Sequence, residues 1–134
     1  MNESKLILVL GDQLSLDQPA LKQSEPGRDI IVLAEVAEEA AYVRHNRHKI
    51  ALLFAAMRHF RLELETLGYD VHYTAIDQGV ASLKEAVHNV LVQTAAKEVV
   101  VCEPGEYRLV HQMRSAWSSS LGVPVTVLED DRFL

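Results

Sequence analysis

The sequence predicts an α/β fold: a single three-layer Rossmann-like domain with a five-stranded parallel sheet in the order 3-2-1-4-5. Three observations predict it. Four short apolar runs, at residues 6–10, 30–33, 99–101 and 123–127, are continuous rather than alternating, as in strands covered on both faces. Between them lie segments with helical apolar periodicity. The resulting order of strand, loop, strand, helix, strand, helix, strand, helix, strand is that of an alternating chain with a parallel sheet, and right-handed crossovers favour the stated strand order.

The first strand, 6–10, stops at Gly11, Asp12 and Gln13 in "LVLGDQLS". Residues 14–29 are irregular and predict a crossover with little helix. The second strand, 30–33, runs into "AEVAEEA". Glu35 ends the strand, and Glu38 and Glu39 open a helix, where the helix dipole favours acids. Ile50, Leu53, Met57, Phe60, Leu64 and Leu67 then recur in steps of three and four, one apolar stripe on a long helix. Arg58, Arg61 and Glu65 fall off that stripe and are expected in solvent. Gly68 is a stop signal. A weaker, more polar strand at residues 70–74 (DVHYT) suits a sheet edge. A second helix carries Leu83, Val87, Val90 and Leu91. A third carries Leu109, Met113 and Ala116 or Trp117, ending near residues 122–124.

The whole chain narrows the function classes. At 134 residues it is one domain, large enough for a hydrophobic core without staples. Its formal charge of −6 argues against a strong DNA-binding surface on this segment, because phosphate affinity comes from clustered Lys and Arg. A lone cysteine, Cys102, permits no internal disulfide and fits a reducing, cytoplasmic setting. The N-terminus lacks signal-peptide features, and no apolar run approaches the ~18 residues of a membrane span.

In a sheet of this order, ligands sit beyond the carboxyl ends of the strands where strand order reverses, between strands 1 and 4. Gly11, Asp12 and Gln13 there face Cys102, Glu103, Pro104, Gly105 and Glu106. Glu35 is expected beside the same crevice. A turn cap is the plain alternative for Asp12. No G-x-G-x-x-G or Walker A sequence follows strand 1, so the standard dinucleotide and phosphate-loop readings fail. His45, His48 and His59 make an exposed basic turn a better expectation than a metal site. Cys102 follows a buried strand and reads as an inert core thiol. The residues alone thus reach an α/β domain with a ligand crevice and do not name the ligand.

Four stretches, "LVLGDQLS", "VLAEVAEEAAYVRHNRHKIALLFAAMRHF", "LGYDVHY" and "CEPGEYR", resemble the N-terminal domain of the photolyase-related proteins, the bacterial iron–sulfur cryptochromes and (6-4) photolyases. The resemblance runs from Leu6 to the terminal "DDRFL". It implies that residues 1–134 are the α/β antenna domain of a longer parent. A helical domain beyond this chain would bind FAD and a four-iron cluster and engage damaged DNA. The antenna ligand implied is 6,7-dimethyl-8-ribityllumazine, which passes excitation energy to the flavin.

The resemblance maps that pocket onto Gly11, Asp12, Ala34, Glu35, Glu39 and Leu53. Gln13 and Glu103, which face each other across the crevice, are added as candidates. Relatives can carry cysteine in place of Ala34 and isoleucine in place of Leu53, which keeps an apolar wall. A flat heteroaromatic ring wants such a slot with a few polar groups at its edge. The fragment alone is expected to be non-catalytic, with no membrane contact. Its partner is the helical domain, and self-association through a surface that domain would cover is expected. Two other classes stay open: a small stand-alone nucleotide-binding domain, and a structural domain with a partner role only.

Overall fold

The computed structural model describes residues 4–11, 13–36, 47–104 and 107–129. The elements run β1 (Lys5–Leu8), α1 (Pro19–Lys22), β2 (Ile30–Ala34), α2 (Arg47–Thr66), β3 (Asp70–Thr74), a 3-10 turn (Ile76–Gln78), α3 (Leu83–Leu91), β4 (Glu98–Cys102), α4 (Tyr107–Ser115), α5 (Trp117–Leu121) and β5 (Val125–Leu128). The five strands form one sheet in the order β3-β2-β1-β4-β5. Every pairing is parallel, with Leu8 opposite Val32 on one side and Val101 on the other. The α/β class and the strand order are as the sequence predicts.

Side chains alternate across each strand, so continuous apolar runs feed two core layers at once. Leu6, Leu8, Val32, Val99 and Val101 pack with Leu83, Val87, Met113 and Trp117, beneath α3, α4 and α5. Ile7, Val9, Ile31, Leu33 and Val100 pack with Leu21, Met57, Phe60 and Leu64, beneath α1 and α2. These are the three layers of a doubly wound sheet.

Several boundaries differ from the sequence expectations. Val9 and Leu10 are buried, but the first strand ends at Leu8. The 14–29 crossover contains a one-turn helix, α1, with Pro19 at its start and the Gln18 side-chain oxygen accepting from the Ala20 N–H at 3.0 Å. Proline suits that position because its absent N–H would have no intrahelical partner. The third predicted helix is two helices. Ala116 leaves helical geometry between them, and Trp117 begins the second while remaining buried in the core. Leu67 lies beyond the end of α2 and is half-exposed rather than on the core stripe. Gly68 ends the helix as expected, at φ 97°, a conformation L side chains rarely adopt.

Candidate functional site

Strand order reverses between β1 and β4, whose carboxyl ends lie side by side. The chain leaves β1 through a turn closed by the Gln13 N–H donating to Leu10 O at 3.0 Å. The Gln13 side chain then crosses to β4. Its Nε2 donates to Cys102 O at 3.1 Å and to Glu103 O at 2.9 Å. Both amide hydrogens are used, so the side chain cannot flip without losing two bonds. The other amide atom, Oε1, is buried and has no hydrogen-bond partner among the described residues. Among the described residues no other buried side-chain nitrogen or oxygen is left in this state. An unpaired buried acceptor costs about 1–3 kcal/mol, which a donor placed against it would recover.

Gln13 is also anchored from below. Its carbonyl accepts from the Ser15 N–H at 2.8 Å and from Gln18 Nε2 at 3.4 Å. The same Gln18 caps α1, so that short helix props the Gln13 turn. Glu103 contributes its main-chain carbonyl to the Gln13 bridge, and its N–H donates to Leu128 O at 2.7 Å. Its carboxylate turns away to Arg114 on α4, at 2.9 Å. Cys102 is 1% exposed and packs in the α1/α2 layer, as the inert-thiol reading expects.

Glu35 occupies a different place. It follows β2 and is fully buried, with its N–H donating to Thr74 O at 2.8 Å. Its carboxylate points toward β3 and α2. Arg58 holds it through Nε at 2.5 Å and Nη2 at 2.7 Å. The Tyr73 hydroxyl and the Ile76 N–H, the latter at 3.0 Å, donate to it as well. A carboxylate offers about four acceptor sites, so four donors leave little capacity for a ligand. Burial pushes its pKa up, but the bonds from Arg58, Tyr73 and Ile76 outweigh that and hold it below the ordinary carboxylate range. Burial and the same carboxylate raise the Tyr73 hydroxyl. Arg61 lies over the Tyr73 ring, 5.4 Å from its centroid. Arg58 is therefore half in solvent and half in an ion pair, not simply solvated as its position off the stripe suggests.

The structure joins Gln13 to Glu103, with Gly11 buried in the adjoining turn. It does not join Ala34 to Leu53. Ala34 packs in the α3 layer and Leu53 against the α2 layer, with the sheet between. Asp12, Glu38, Glu39 and His45 lie outside the described residues. His48 and His59 are exposed on α2, and no metal-ligand cluster occurs among the described residues.

A second buried carboxylate was not foreseen. Asp29 is 1% exposed at the amino end of the sheet and accepts from the Lys5 and Glu25 N–H groups, both at 3.0 Å, and from Arg28. The signal was an acid directly before a wholly apolar strand. Its place, at the end of the sheet opposite Gln13, makes it a clamp between β1 and β2.

Comparison with known proteins adds the family. Residues 7–134 match the family described as deoxyribodipyrimidine photo-lyase-related protein. The chain is 41% identical over 133 residues to a "(6-4) photolyase" of Agrobacterium fabrum strain C58. The match covers 98% of this chain and 26% of that relative, so the chain spans about a quarter of its length.

Proposed function

The chain belongs to the deoxyribodipyrimidine photo-lyase-related family, and from that premise we propose that it is the antenna-chromophore-binding domain of a photolyase- or cryptochrome-like flavoprotein. The ligand is 6,7-dimethyl-8-ribityllumazine, held at the carboxyl ends of β1 and β4. The single observation that carries this reading is the buried, unpartnered Oε1 of Gln13 at the strand-order reversal. The lumazine ring has an imide N–H, the donor such an acceptor lacks. Asp12, Ala34, Glu39 and Leu53 are carried over from the family resemblance; because Ala34 and Leu53 lie on opposite faces of the sheet, one ligand meets both only across the carboxyl edge of the sheet. Glu35 acts instead as a positioning residue, because its carboxylate is already filled.

In the parent, the lumazine absorbs light and passes the energy to FAD in a helical domain. That domain also carries the iron–sulfur cluster and engages damaged DNA. Within that parent, residues 1–134 bind and orient the chromophore. It works in the cytoplasm, where its single thiol stays reduced.

The test is a titration of the purified chain with 6,7-dimethyl-8-ribityllumazine, followed by the ligand's fluorescence, beside parallel titrations with ATP and AMP. Saturable lumazine binding supports the reading. Gln13→Met should weaken it by about ten- to a hundredfold. Nucleotide binding without lumazine binding would replace it with a stand-alone nucleotide-binding domain. No binding of either would leave a structural domain.

A further inference from the structure

Helix α2 carries two stripes, and the core uses only one. Met57, Phe60 and Leu64 face inward and are buried. On the opposite side His48, Leu52, Ala55, His59, Leu62 and Thr66 follow one another in steps of four and three. That is the spacing of a helix seam that packs on another helix. All six are exposed, with Leu52 at 58% and Leu62 at 60%. Two of the six large apolar side chains exposed among the described residues thus lie on one line.

We propose that this stripe is the seam of an antiparallel α2–α2 pair between two copies of this chain. The occupant is a second copy because the stripe is complementary to its own reverse. Turned end for end about Met57, it sets Leu52 against Leu62 of the second copy, Ala55 against His59 and His48 against Thr66. Each of these pairings occurs twice through the two-fold axis.

The edges of the stripe favour the same register. Lys49, Ala56 and Glu63, all exposed, run along one edge at seven-residue steps. In an antiparallel pair an edge meets itself. Lys49 therefore faces Glu63 of the second copy at both ends, with the two Ala56 methyls at the centre leaving room for close approach. Along the other edge lie Ala51, Arg58 and Glu65. The Arg58 charge, which would meet its own copy there, is offset by the buried Glu35 carboxylate bonded to it. The pair is weak, because two leucine contacts must offset the entropy of association.

The test is sedimentation velocity of the chain from micromolar to millimolar concentration at low salt. Wild type should dimerise reversibly. Leu62→Glu should weaken the dimer by at least about tenfold. Lys49→Glu should weaken it by about two- to thirtyfold, since it opposes two acidic groups. Lys49→Glu combined with Glu63→Lys should restore the wild-type constant. Circular dichroism should show all variants folded, because the substituted side chains are exposed. A wild-type monomer throughout the range overturns the proposal and leaves the stripe to another partner. A dimer indifferent to Leu62→Glu, or a double reversal that fails to restore it, overturns the register.

Discussion

Glu35 keeps a full negative charge immediately after five buried apolar residues, and Arg58 and Tyr73 are what permit it. Burying a carboxylate is unfavourable unless its lone pairs are met. Here four donors meet them, and the guanidinium supplies the counter-charge. Removing one partner of such a knot is costly, but the exposed head of Arg58 can turn back to water. Glu35→Gln should therefore cost about 1.5–3 kcal/mol, read as a lower urea midpoint at pH 7. The pH dependence follows from the sign of the shift. A carboxyl held below its unfolded pKa contributes stability that is complete above the unfolded value and lost as pH falls through the folded one. Wild type should lose stability below about pH 5, and Glu35→Gln should show a shallower acid limb. The remaining slope comes partly from Asp29, which burial raises but Arg28 and two backbone N–H groups hold below the ordinary range. Equal acid limbs would mean that Glu35 titrates alike in both states.

Single elements explain why some of this was legible in the sequence and some was not. The four apolar runs announce buried strands because a parallel sheet covered on both faces needs apolar residues at consecutive positions. Ile50, Met57 and Leu64 announce α2 because one helix face must meet that sheet. Local spacing carries no signal for a bond such as Arg58 to Glu35, whose partners are 23 residues apart. Nor could it show that Ala34 and Leu53 pack into different layers, since which face a strand residue takes depends on register. The break at Ala116 was hidden because Leu109, Met113 and Trp117 keep a helical rhythm across it. Capping is the clearest local signal that remains. Ser82 Oγ accepts from the Glu85 N–H at 3.1 Å, and the Glu85 carboxylate accepts from the Ala81 N–H at 3.1 Å, closing the start of α3 from both sides. Ser82→Ala should lower stability by about 0.5–2 kcal/mol, measured by chemical denaturation. No change would mean that packing of Leu83 and Val87 alone sets the start of the helix.

At the scale of the whole molecule, alternation along the strands ties the two core layers together. Ile7 points into the α2 layer, while its neighbours Leu6 and Leu8 point into the α3 layer. Neither layer can be lost without stripping one face of the same strands, so the chain should unfold as one cooperative unit. Trp117 makes this measurable. It is the sole tryptophan, it is buried, and it lies in the α3 layer. Leu64 lies in the other layer and is fully buried. Leu64→Ala removes about three methylene equivalents and leaves a cavity, which should cost about 2–5 kcal/mol. If the layers are coupled, Trp117 fluorescence on the far side of the sheet should report that whole loss, with a urea midpoint coincident with far-ultraviolet circular dichroism. Were the α2 layer an independent unit, the Trp117 transition would stay at its wild-type midpoint while the circular dichroism split into two steps.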